Sequence, residues 1–133
     1  MVILDTTILI HLLRGDEKAK QKIGMLEQAG VELYSTQINL FEIIQGIYSF
    51  AKAPDQEIAS LEVLLERLKV LDLTYFGAYH AGRLSGTLKK KGLTVSSSDL
   101  LIAGIGLANN ISTIVTKNVD DFSKIPGIKV ETY

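Results

Sequence analysis

The 133 residues contain no cysteine, so disulfides, thiolate zinc sites and cysteine nucleophiles are excluded. Histidine is nearly as scarce. His11 and His80 lie in different helical segments, which leaves no imidazole cluster to ligate a metal. Each is expected to be a helix-face residue with a local hydrogen bond. No apolar run reaches the roughly 18 residues needed to span a bilayer, so no membrane segment is expected. The apolar start of the chain has no basic residue ahead of it and runs straight into Asp5, unlike a signal peptide, so a cytoplasmic location is expected. There is also no surplus of positive charge. With 14 Lys and Arg against 15 Asp and Glu the net charge is −1, so any contact with nucleic acid must be local. No repeat or low-complexity segment interrupts the chain.

What is abundant is apolar residues, at 47% of the total. The length suits one domain over residues 1–133, with a core burying about two thirds of the unfolded surface. Val2 to Leu4 reads as a buried strand, followed by a helix that closes at Gly15. A second helix runs from Glu17 to Ala29, and Val31 to Thr36 alternates as a strand does. A third helix spans Gln37 to Ala51, with Ile38, Phe41, Ile44 and Tyr48 on one stripe and Leu40, Ile43 and Ile47 beside it. Pro54 breaks it. Asp55 is expected to cap a fourth helix from Gln56 to Leu68, ahead of a strand at Lys69 to Leu73. Thr74 to Lys91 and Val95 to Asn109 read as two more helices. A strand at Ser112 to Val115, a short helix around Phe122 and an edge strand at Gly127 to Val130 complete the pattern. Strands separated by helices imply parallel pairing with helices on both faces, an α/β sandwich whose ligands bind at the carboxyl ends of the strands.

Acids stand beside these buried elements. Asp99 is the only charge in the stretch Val95 to Asn109, Asp5 follows the first strand, Glu42 sits within Ile38 to Ile44, and Asp121 follows the strand ending at Val115. Each has an ordinary explanation. Asp99 and Asp121 resemble helix caps, and Glu42 could be solvated. Together they form a pattern, since grouped carboxylates repel unless a cation compensates. With oxygen ligands only, that cation would be hard, Mg²⁺ with Mn²⁺ as a substitute. Such an ion lowers the pKa of a bound water and stabilises charge on a phosphodiester under attack. Thr116 and Asn118 would orient the water or metal, or simply hold the turn. Lys89, Lys90 and Arg83 are candidates for RNA contact, although lysines ahead of Gly92 also suit a helix C-terminus.

Four segments in order, Ile3 to Ile10, Ser35 to Glu42, Ser98 to Gly104 and Val115 to Phe122, resemble the PIN-domain ribonucleases of the VapC toxin type. The resemblance runs nearly end to end. It implies a three-layer α/β/α fold with a mainly parallel sheet of four to five strands, and a Mg²⁺ pocket lined by Asp5, Glu42 and Asp99. Asp121 would complete the acidic set, with Thr6, Thr116 and Asn118 in support and Lys117 beside the RNA. Some relatives carry an acid where this chain has Asn118. Relatives of this type cleave RNA as the toxin of a type II toxin–antitoxin pair, are silenced by a cognate antitoxin laid across the groove, and form homodimers. A non-catalytic RNA- or peptide-binding module and a DNA-directed nuclease are the alternatives.

Overall fold

The computed structural model describes all residues from 1 to 133. Five parallel strands form its centre: β1 (Val2–Leu4), β2 (Leu33–Thr36), β3 (Lys69–Leu71), β4 (Thr113–Val115) and β5 (Lys129–Glu131), in the spatial order β3-β2-β1-β4-β5. The helices are α1 (Thr6–Leu13), α2 (Glu17–Gln28), α3 (Gln37–Phe50), α4 (Pro54–Leu65), α5 (Tyr75–Lys90), α6 (Ser97–Ala108) and α7 (Val119–Ser123). The three-layer α/β arrangement is as expected, with a sheet that is wholly parallel.

β1 is central because it is apolar throughout. Its three residues are all buried, with Ile3 registered against Tyr34 on one side and Ile114 on the other. The alternation of strand side chains sends Val2 and Leu4 into a core under α1, α2, α3 and α4, and Ile3 into a second core under α5 and α6. The chain builds outward from β1 through β2 to β3, then crosses back to place β4 on the other side of β1. That reversal opens a crevice at the carboxyl ends of β1 and β4, the usual place for a ligand in such sheets.

The crossover is made by an antiparallel hairpin, α5 against α6. Its closeness depends on glycine. A Cβ at Gly104 would collide with the Gly77 carbonyl oxygen and lie 2.8 Å from the Ala81 nitrogen. A Cβ at Gly106 would lie 2.7 Å from the Ile111 carbonyl oxygen. The helix of Val95 to Asn109 is indeed sunk in the core, with Asp99, Leu100 and Ile102 through Gly106 all buried.

Two expectations need correction, and one left open by the sequence is decided. Asp55 does not cap α4. Pro54 occupies the first turn, where its missing N–H is no loss, and Ala53 stands at the cap. On α3 the core-facing side is Asn39, Ile43 and Ile47, while Phe41, Ile44 and Tyr48 are exposed. Both stripes are apolar, so periodicity alone does not choose between them. Finally, the edge strand lies at Lys129–Glu131, later than expected, because Gly127 turns with φ +83° before it.

The glycine contacts give a paired prediction. Gly104→Ala should destabilise the fold by about 1–3 kcal/mol through overpacking. Gly82→Ala, whose Cβ would meet nothing within 4 Å, should stabilise it by up to about 1 kcal/mol. Urea midpoints of the two variants check both signs.

Candidate active site

Asp5 leaves β1 at its carboxyl end, its N–H donating to the Val115 carbonyl of β4 at 3.1 Å. This pins the carboxylate over the crevice. It is 4% exposed, and each of its oxygens has a neutral donor: Thr116 Oγ1 donates to Oδ2 at 2.7 Å, and Asn39 Nδ2 to Oδ1 at 3.1 Å. Asn39 is held in turn by a capping box at the start of α3. Its N–H donates to Thr36 Oγ1 at 3.2 Å, while its Oδ1 accepts from the Thr36 N–H and hydroxyl. With its oxygen used there, the amide must present its N–H₂ group to Asp5.

Glu42 lies one turn further along the same helix and accepts from Thr6 Oγ1 at 2.7 Å. Asn39 Nδ2 also donates to that Thr6 hydroxyl, at 3.0 Å, so Asp5 and Glu42 share a single polar chain. On the opposite wall Asp99 is 8% exposed. It is not the cap of α6. Ser96 takes that role, accepting from the Asp99 N–H at 3.2 Å, and the carboxylate is left free to face the crevice. Asn118 Nδ2 reaches both Asp99 Oδ2, at 2.9 Å, and Asp121 Oδ2, at 3.3 Å. Asp121 caps nothing either, since Asn118 stands at the start of α7.

The structure thus brings Asp5, Glu42, Asp99, Asp121, Thr6, Thr116 and Asn118 to one rim. The carboxylates are joined through threonine and asparagine, and no three of them already converge on one point. Asp5, Glu42 and Asp99 have no Lys or Arg within 4.0 Å, whereas Asp121 lies 3.6 Å from Lys124. Burial pushes the pKa of Asp5 up, and burial followed by the Asp5 charge does the same for Glu42. Asp99 is displaced furthest. Burial, then the charges of Asp5, Asp121 and Glu42, raise it to about 6.

None of the basic candidates forms an ion pair with the acids. Lys89 and Lys90 end α5, and the six-residue turn to α6 puts them at the same end of the hairpin as Asp99. Arg83 is exposed and donates to His80 Nδ1 at 3.3 Å, the local bond expected for that histidine. The bond of His11 is not local. Its Nδ1 lies 2.6 Å from the hydroxyl of Tyr133, at the other end of the chain. The Lys117 ammonium is turned onto Tyr133 as well. Sequence reasoning missed Asn39, which reads as an unremarkable amide inside a helix. Its spacing from Thr36, the signature of a capping box, was the available signal.

A family model, described as the PIN domain, matches residues 2–128. This chain belongs to the PIN-domain family. Within that family it is similar to ribonuclease VapC2 of Rickettsia felis, 30% identical across 98% of this chain and 96% of the relative. It is also 35% identical to a tRNA(fMet)-specific endonuclease VapC of Salmonella typhimurium, over 72% of this chain and 71% of the relative. The fold agrees. A chain of the VapBC2 structure from Rickettsia felis, bound to a DNA fragment from its promoter, superposes with a TM-score of 0.89 at 27% identity, covering 100% of this chain and 99% of that one. The DNA-bound VapBC complex of Salmonella typhimurium gives 0.86 at 30% identity, covering 98% and 96%. The parallel sheet and its flanking helices are thus a PIN fold.

The Asp99 shift has a consequence for stability. Its ordinary value is 3.8, so between about pH 4 and 6 the folded protein keeps a proton that the unfolded chain releases. Folding is favoured by that proton at low pH, and the advantage is lost as pH rises through 6, at most about 3 kcal/mol. Asp99→Asn keeps an acceptor for Asn118 but removes the charge. Its melting temperature without divalent ions should exceed that of the wild type at pH 7.5, with the gap closing towards pH 4.

Proposed function

We propose that residues 1–133 act as one PIN domain, an endoribonuclease that hydrolyses RNA phosphodiesters with the help of Mg²⁺, or Mn²⁺ in its place. One observation carries this reading: Asp5, Glu42 and Asp99 gather at one crevice with no basic side chain to balance them. Carboxylates whose pKa values are raised by burial, and for Glu42 and Asp99 also by neighbouring acids, form a set that a hard cation would relieve. The donors available are all oxygen, which suits Mg²⁺. In this reading Asp5, Glu42 and Asp99 hold the ion and Asp121 completes the acidic wall. When bound, it supplies a Lewis acid for the phosphodiester and a water of lowered pKa.

The protein's own part is preorganisation. Thr116 and Asn39 fix both oxygens of Asp5, Thr6 fixes Glu42, and Asn118 spans Asp99 and Asp121, so the acids keep their places while charge develops on the phosphate. Lys89 and Lys90, on the Asp99 end of the hairpin, together with Arg83, are the groups we assign to flanking phosphates of the RNA, whereas the Lys117 ammonium is taken up by Tyr133.

The structures of relatives are toxin–antitoxin complexes, and we propose the same context here: the toxin of a type II pair, acting in the cytoplasm and silenced by a cognate antitoxin. A groove of about 420 Å³ between α1, α3 and α4, lined by Ile10, Leu13, Ile43, Ile47 and Phe50, offers an apolar seat for the antitoxin. The exposed Phe41, Ile44 and Tyr48 on α3 are the surface we assign to a homodimer.

Purified protein, freed of any antitoxin, should cut labelled RNA with Mg²⁺ and lose that activity in EDTA. Asp5→Asn and Asp99→Asn should fall to background, and Asn39→Ala should lose about 10–100-fold. Cleavage of transfer RNA and of unstructured RNA at undiminished rates by both Asp variants would refute the assignment.

A further inference from the structure

Tyr133 lies outside the acidic crevice but holds His11 of α1 and Lys117, the residue after Thr116. Its hydroxyl is 2.6 Å from His11 Nδ1, and the two rings meet edge to face with centroids 5.8 Å apart. The Lys117 ammonium sits 4.3 Å from the centre of the Tyr133 ring and donates to the Tyr133 carbonyl oxygen. The cation thus has a π face and a main-chain oxygen as its partners. Burial is the main reason that the Tyr133 phenol has a raised pKa, and the Asp16 and Asp5 charges add to it, so Asp5 is within electrostatic reach of Tyr133.

Lys117 occupies a sensitive position. It stands between Thr116, which donates to Asp5, and Asn118, which donates to Asp99 and Asp121. Its own N–H donates to Thr7 Oγ1 at 3.0 Å, and that hydroxyl is 3.3 Å from Thr116 Oγ1. An ammonium on a flexible four-carbon stem, carried between two residues that bond to these carboxylates, would gain from an ion pair with them. None forms. Asp5, Glu42 and Asp99 have no Lys or Arg within 4.0 Å, and Lys117 points to Tyr133 instead.

We propose that Tyr133 is a positioning residue that holds Lys117 away from the acids and so keeps the crevice negative and open to an external divalent cation. Lys117 would otherwise be an internal competitor for that site. The inference rests on the cation-binding reading of the crevice. It differs from a general bracing role because it makes the effect of losing Tyr133 depend on the charge at position 117.

Mn²⁺ binding, followed by the EPR signal of the free ion, tests this without any RNA. Tyr133→Ala should weaken Mn²⁺ binding about tenfold, the scale of an outer-shell loss at a metal site. Tyr133→Phe, which keeps the ring face, should stay within about twofold of wild type, and Tyr133→Leu, which keeps bulk but no π face, should behave like the alanine variant if alanine fails to fold. The deciding protein is Tyr133→Ala with Lys117→Met, in which wild-type affinity should return. Equal weakening in the single and double variants would overturn the proposal and leave Tyr133 as packing. Absence of Mn²⁺ binding by the wild type would overturn it too, and in that case the reading of the crevice itself falls.

Discussion

Like-charge repulsion in a water-poor crevice is the constraint around which this fold is arranged. Three carboxylates are held at the rim of the sheet, two of them buried, and only neutral hydroxyl and amide groups bond to them. A basic side chain reaching these acids would relieve the repulsion. It would also fill the site. The neutral donors fix the geometry of the acids without cancelling their charge, so the folded chain carries a repulsion that a bound cation would relieve. Stability given up at a site of this kind is a common sign that the site has a use.

The rest of the architecture supplies rigidity for that arrangement. β1 and β4 pair side by side, and their ends carry Asp5 and Thr116 into hydrogen-bond contact. α3 begins directly at the end of β2, so its capping box fixes Asn39 and, one turn later, Glu42. α6 is pressed into the core by its glycines and carries Asp99 at the end nearest the crevice. Each acid therefore comes from a different element whose position is set by core packing. A loop-borne site would allow the carboxylates to move apart, and the packed helices prevent this.

Much of this was legible in the sequence, for reasons that can be traced to particular residues. The alternation of short β-branched runs with helical periods specified a parallel α/β sheet, and Asp5 and Asp121, each just past the end of a strand, marked its rim. The part that stayed hidden depends on contacts remote in sequence. Asn39 points to Asp5 only because Thr36 claims its oxygen, and Lys117 is quiet only because Tyr133, 16 residues away, takes its ammonium. On α3, two apolar stripes were equally suited to burial. The sheet chose the one containing Ile43 and Ile47, and the other, with Phe41 and Tyr48, was left as exposed surface. Such choices depend on partners that a period-based reading does not see.

The most direct measurement is the titration of the Asp99 carboxyl carbon by NMR, in protein free of divalent ions and again with saturating Mg²⁺. A midpoint near 6 without the ion, moving well into the ordinary carboxylate range or below when Mg²⁺ is present, is the expected result. An ordinary midpoint near 4 that ignores Mg²⁺ would contradict the view that these acids form a strained, cation-seeking set.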